Sequence, residues 1–215
     1  VLGSELTVGR INIGLLNRII IDDLVLNDQS GKELLKIGRL SAKFEILPLF
    51  SGKISIGNVQ LFSFNANLER PTPQASTNFQ FVLDAFASKD TVKKKSNLDL
   101  RINSLLIRRG KVSYDVLSAE STPGKFNPQH IRLSNILANI SLKALQNDSV
   151  NAAIKRMSVE EEHSGFELKK LSLKIIANDR KMRIENFAID LPNTSLAMDT
   201  IRMEYDSLES LGHFT

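Results

Sequence analysis

Cysteine is absent from this chain, which excludes a thiol nucleophile, a cysteine-ligated metal and any disulfide framework. Tryptophan is absent as well, and only 2 tyrosines stand against 11 phenylalanines. Its apolar surfaces are therefore aliphatic plus Phe, with few of the polar-tipped aromatics that read sugars or stack bases. Glycine is sparse, and none of it clusters into a phosphate-cradling loop. Val8-Gly9-Arg10, Ile37-Gly38-Arg39 and Ile56-Gly57-Asn58 sit singly inside apolar stretches, two of them with a basic neighbour that a head group could engage. No nucleophile-elbow, P-loop or dinucleotide motif occurs, and no apolar run has the length of a membrane-spanning helix. No signal peptide is recognisable.

Charge is present but dispersed. The net value of +4 is spread over Lys93-Lys94-Lys95, Arg108-Arg109, Lys169-Lys170 and Arg180-Lys181, without interleaved aromatics, which argues against a nucleic-acid platform. His130, His163 and His213 lie far apart and lack metal-ligand spacing, so neither a metal nor a cofactor is expected. Asp22-Asp23 and Glu160-Glu161-Glu162 are neighbours along a strand pattern. Neighbours on a strand point to opposite faces, poor geometry for a general acid/base pair. They read as solvated edges or turns, and no catalytic residue is expected.

What is abundant is alternation. In Ile54–Arg70, Phe62, Phe64, Ala66 and Leu68 alternate with Ser63, Asn65 and Asn67, the period of a strand wet on one side. The phase slips at Gly57-Asn58 and again at Leu61-Phe62. A spacing of apolar-x-x-apolar-x-apolar recurs along the chain, at Val8/Ile11/Ile13, Ile37/Leu40/Ala42, Ile56/Val59/Leu61 and Ile102/Leu105/Ile107. It returns at Leu133/Ile136/Ala138, Leu168/Leu171/Leu173, Ile184/Phe187/Ile189 and Met198/Ile201/Met203. One extra residue flips every later side chain unless a bulge absorbs it. Repeated so regularly, the slip predicts strands that kink at one level of a single curved sheet. Asn27–Lys32, Asn178–Arg180 and Pro192–Thr194 carry turn residues between the alternating runs, and predict hairpins.

The fold class is therefore mostly β: a long antiparallel meander, too long and twisted to stay flat, with one short amphipathic helix. That helix is expected over Asn78–Ser88, from Phe79, Val82, Leu83 and Phe86 at helical spacing with Thr77 as N-cap. It either plugs an apolar gap in the sheet or docks a membrane or partner, with Phe81 widening its stripe. Leu47–Gly52 reads as a short apolar connector. The organisation expected is a first β-rich segment at 1–70, a helix and basic linker at 71–97, a second β-rich segment at 98–205 and a tail at 206–215. The abrupt VLGSELTVGR start and LGHFT end read as those of a fragment of a longer protein. Alternation leaves open whether the apolar faces cover a closed protein core or a groove.

Residues 5–62, with VGRINIG, IIIDDLVLND, QSGKELLKIGRLSAKF, LPLFSGKISI and NVQLF, resemble the N-terminal region of AsmA/TamB-type envelope proteins, particularly large Bacteroidetes members. The NFQFVLDAF helix and LDLRINSLLIRRGKVSYD strand look similar too. The resemblance implies a periplasmic β-sheet curled into an open, taco-like groove and tethered to the inner membrane by an anchor outside this sequence. It implies an apolar interior that carries phospholipid acyl chains towards the outer membrane, with outer-membrane assembly proteins as possible partners. The groove-face residues it points to are Phe44, Ile46, Phe62, Phe64, Ala66, Leu68, Ile140, Leu142, Leu173 and Ile175. The alternative function is a structural scaffold that contacts the assembly machinery.

Overall fold

The computed structural model describes residues 3–14, 17–44, 54–86, 98–99, 103–146, 149–178 and 180–205. The elements are β1 (Leu6–Gly14), β2 (Arg18–Asn27), β3 (Glu33–Phe44), β4 (Ile54–Arg70), α1 (Gln80–Phe86), β5 (Leu98–Asp99), β6 (Ser104–Val116), β7 (His130–Gln146), β8 (Ser149–Glu161), β9 (Phe166–Asn178), β10 (Lys181–Leu191) and β11 (Thr194–Glu204). All strands belong to one sheet in the order β1-β2-β3-β4-β6-β7-β8-β9-β10-β11, with the two-residue β5 beside β4. β1 and β11 stand at its two edges, so the sheet is open. This is the mostly β meander the alternation predicts.

One junction departs from antiparallel pairing. β4 and β6 run parallel, at a constant offset of 46 residues from Asn58↔Ser104 to Arg70↔Val116. A parallel pair needs a crossover rather than a hairpin, and α1 lies in it. The two β-rich segments are thereby joined edge to edge in one sheet. The Leu47–Gly52 connector and the 87–97 linker lie outside the described residues.

The recurrent slip is visible as a row of kinks. Asp23, Ser63, Arg109, Asn135 and Asn186 have φ between 50° and 56°, left-handed values that non-glycine residues seldom adopt within a strand. Regular pairing skips from Val8↔Leu24 to Arg10↔Asp22, from Leu24↔Ile37 to Asp22↔Arg39, and from Ile37↔Phe64 to Arg39↔Phe62. Gly9, Asp23, Gly38 and Ser63 thus share one level on four adjacent strands. A Cβ on Gly9 would meet the Asp23 Cβ at 2.9 Å, and one on Gly38 the Ser63 Cβ at 3.2 Å, so crowding within the row favours glycine there. Further along the sheet, the register shifts at Asn135, Lys169-Lys170 and Asn186 continue the irregularity. The Ile56/Val59 slip belongs to a different level, where the Asn103 N–H donates to the Gly57 carbonyl at 2.6 Å and β3 shifts register at Lys43/Phe44.

Two of the hairpins are fastened by buried carboxylates. Asp28 Oδ1 accepts from Ser30 N, Ser30 Oγ and Lys32 N at 2.6–3.0 Å across the β2–β3 turn. Glu161 does the same for the β8–β9 turn. The β10–β11 loop is Pro192-Asn193, two residues between the paired Leu191 and Thr194.

α1 spans Gln80–Phe86, within the predicted helix, and its entry is a tight turn in which Gln80 N donates to the Thr77 carbonyl. Asn78 anchors this entry, accepting from Glu69 N and donating to the Asn67 carbonyl and to Asp28 Oδ2. Val82 joins Leu26 and Leu34 in a buried cluster, with Leu35, Leu68, Phe79 and Phe81 packed against it. Phe81 therefore contributes to packing on the sheet.

Candidate functional site: a one-sided apolar face

Cα partners across a strand pair put their side chains on the same face of the sheet. One such row crosses all ten strands of the main path. It begins Ile11↔Ile21↔Leu40↔Leu61↔Ile107 on β1 to β6. It continues Ala138↔Met157↔Leu171↔Ile189↔Leu196 on β7 to β11, with Ile107 paired to Ala138. Every member is apolar. A row on the opposite face crosses the same ten strands through Gly14, Arg18, Lys43, Asn58 and Ser104, then Ser141, Ala153, Lys174, Glu185 and Thr200. One face is greasy from edge to edge and the other is polar.

The kinks keep the greasy face continuous. Ile37 and Leu40 are an odd number of residues apart and would face opposite ways on a regular strand. Gly38 and Arg39 instead both turn to the polar side, where they line one cleft with Asp22, Asp23, Phe62 and Ser63. The same double step occurs on β4, so Leu61 and Phe64 share the apolar face.

Of the groove-face residues expected from sequence, Phe64, Ala66 and Leu68 lie on the apolar face at the α1 end of β4. They pair with or adjoin Ile37, Leu35 and Val112. Phe44, Ile140, Leu142, Leu173 and Ile175 lie on the same face beyond the kink, with Ile140 paired to Ile154 and Ile154 to Leu173, and Leu142 to Ala152 and Ala152 to Ile175. Phe62 is placed differently from its expected phase: the left-handed Ser63 turns it to the polar side, paired with Arg39 and Arg108. Ile46 lies outside the described residues. The Phe64 ring lies over Gly110, where a Cβ would come within 2.2 Å of Cε1; only a glycine leaves room for it.

The face is only partly covered. Among the described residues nine hydrophobic side chains are buried, and the members of the rows above are mostly only partly buried. Exposure rises towards the edges, to 62% at Ile11, 86% at Ile13 and 45% at Leu196. A filled sandwich would bury its whole inner face beneath a second layer. Here the described packing onto the face from outside the sheet comes from α1 and the residues before it, which close one corner. Beneath Phe79 a wholly apolar cavity of about 210 Å³ remains, lined by Leu34, Leu35, Ala66 and Leu68.

Polar chemistry gathers at the α1 end. Arg70 stacks over the Tyr114 ring at 5.3 Å, and Arg70 Nη1 donates to the Pro73 carbonyl. Asp115 takes Arg132 at 2.8 Å and His130 Nδ1 at 2.9 Å, while His130 Nε2 bonds the Ala119 carbonyl at 3.0 Å. Burial pushes the Asp115 carboxyl up, and the Arg132 and His130 hydrogen bonds more than offset it, so its pKa falls below the usual value. His130 is pushed up, first by Asp115 and then by the Ala119 carbonyl. Far from a loose surface histidine, it is a fastened one.

Glu161 likewise differs from the solvated carboxylate expected from Glu160-Glu161-Glu162: it is 2% exposed. Burial alone would raise its pKa, but it accepts from Ser164 Oγ at 2.6 Å, Ser164 N at 2.7 Å, Arg132 N at 3.2 Å and His163 N at 3.3 Å. These donors hold it at about 2, against an ordinary 4.5. Its bonds complete a turn rather than poise a proton. Among the described residues no cluster of three or more His, Asp or Glu has metal-binding geometry, and no helix is long and apolar enough to cross a membrane.

No family model matches the chain, and no curated protein matches it.

Proposed function

We propose that this chain is a non-catalytic periplasmic part of an AsmA/TamB-type envelope protein, and that its apolar face shields phospholipid acyl chains in transit between the inner and outer membranes. The observation that carries the reading is the apolar row running unbroken across ten strands of an open sheet, of whose ten members only Ala138 is buried. Burying apolar area is worth roughly 25 cal/mol per Å², so a face this wide gains stability from any apolar layer laid on it. An aliphatic wall with few hydrogen-bonding groups grips an acyl chain without fixing its position, which suits sliding better than chemistry. The buried carboxylates support a non-catalytic role, since Asp28 and Glu161 spend their lone pairs on turns.

A second reading, a scaffold for outer-membrane assembly proteins, draws on the two open edges. Among the described residues β1 and β11 each pair on one side alone, which leaves a side on which a partner strand can add.

Photo-crosslinking in cells, with the full-length protein, separates the two. A crosslinking amino acid at Phe64 faces the apolar side, and one at Asn65, paired with Lys36 and Lys111, faces the polar side. Lipid adducts at 64 and not at 65 support the conduit. Protein adducts at a β1 or β11 position, with none to lipid at 64, overturn it in favour of the scaffold.

A further inference from the structure

On the side away from the apolar face, the row of kinks opens a cleft of about 580 Å³. Five strands contribute to it: Arg10 from β1, Asp22 and Asp23 from β2, Arg39 from β3, Phe62 from β4 and Arg109 from β6. These arginines are scattered over a hundred residues of sequence, and only the alignment of the kinks gathers them. Gly38 leaves the floor bare beside Ser63, and Phe62 supplies one apolar wall.

The charges within the cleft are unequally matched. Asp22 is bound to Arg39, Nε to Oδ1 at 2.6 Å. Among the described residues Arg10 and Arg109 make no hydrogen bond or ion pair, although Arg10 lies near enough to help stabilise the Asp22 carboxylate, and three arginines stand against two aspartates around the cleft. Arg108, whose Cα pairs with Phe62, adds another cation on the same face. Guanidinium groups in excess of carboxylates around one notch suit a phosphate oxyanion, whose oxygens accept from the planar fork.

We infer that this cleft is a binding site for a phosphate monoester, held between Arg10 and Arg109 with its organic part against Phe62. Arg39 is the positioning residue, because its bond to Asp22 withdraws one of the two carboxylates from competition. The site does not depend on what occupies the apolar face. The sheet separates the two, so a lipid lying in the groove cannot present its own head group here.

The test is NMR titration of the whole chain with phenyl phosphate at low salt, repeated with vesicles of phosphatidylcholine containing or lacking phosphatidic acid. The expected result is saturable shifts of the Gly38, Ser63 and Arg109 amides. Arg109→Asn, chosen because Asn tolerates the φ of 56° at this position, weakens binding about tenfold, the size of one charged hydrogen bond. Arg10→Gln on the edge strand does the same, and Asp23→Asn tightens binding. Binding of the soluble ester identifies a soluble ligand; binding only to phosphatidic acid vesicles, lost in Arg109→Asn, identifies a membrane-borne phosphate. Absence of saturable binding to both probes, or binding that Arg109→Asn and Arg10→Gln leave unchanged while Arg183→Gln on distant β10 reduces it equally, overturns the inference.

Discussion

Removing the charge on Glu161 tests how the hairpin ends of this sheet are held. The carboxyl is 2% exposed, accepts four hydrogen bonds from three residues, and has its pKa lowered from 4.5 to about 2. A shift of that size links to about 3 kcal/mol of folding stability. Because the folded pKa is the depressed one, that contribution is complete above the unfolded value of 4.5. It is lost as pH falls towards 2, with about 2 kcal/mol gone by pH 3. Glu161→Gln keeps the shape but turns a donor group towards backbone N–H donors, so the variant is expected to be about 2–3 kcal/mol less stable at pH 7. Urea denaturation at pH 7 and pH 3 measures both proteins. The gap between wild type and variant should narrow at pH 3, since other carboxylates titrate equally in both. A gap that is absent at pH 7, or that keeps its size at pH 3, would refute the assignment of this stability to the Glu161 turn.

Three other outcomes are expected. Gly110→Ala places a Cβ 2.2 Å from the Phe64 ring and should destabilise by about 1–3 kcal/mol; adding Phe64→Leu should recover most of the loss, and strict additivity would contradict the contact. Val82→Asp puts a charge into the Leu26–Leu34 cluster and should release α1 from the sheet, seen as faster amide exchange at Leu26 and Leu35 while β8–β10 stay protected. His130 should titrate above 6.5, and Asp115→Asn should lower it; the stability from this pair is full below 6.5 and fades as pH rises through the folded value, which urea midpoints across pH 6–9 in both proteins would show.

Much of this fold was legible because its main irregularity repeats. The two-residue gaps at Gly9-Arg10, Gly38-Arg39, Ser134-Asn135, Lys169-Lys170 and Glu185-Asn186 mark the places where strands kink or shift register. The kinks at Asp23 on β2, Ser63 on β4 and Arg109 on β6 fall outside the spacings read from the sequence, and the β4 kink misplaced Phe62. There the left-handed residue is Ser63, flanked by Phe on both sides, so the apolar spacing carries no gap and simple alternation assigns Phe62 to the wrong face. The parallel β4–β6 pair was not legible because strand direction leaves no trace in alternation; only the constant 46-residue offset, read after the fact, relates the two strands. Glu161 was hidden among like neighbours, since burial of one carboxylate in three depends on turn donors that composition does not reveal. The arginine cleft fared in between. Arg10 and Arg39 stood out beside their glycines, but their meeting with Arg109 depends on the register of five strands.

The central claim is that the apolar face takes acyl chains, and methyl NMR tests it most directly. A phospholipid with a nitroxide on its acyl chain is added to the methyl-labelled chain. Ile20 and Leu106 lie on the polar side, in line with Ser41 and Gln60, and serve as internal controls within the same strands as Ile21 and Ile107. The account predicts that Ile21, Leu40, Leu61 and Ile107 methyls broaden while those of Ile20 and Leu106 do not. Equal broadening on both faces, or none on either at saturating lipid, would contradict it.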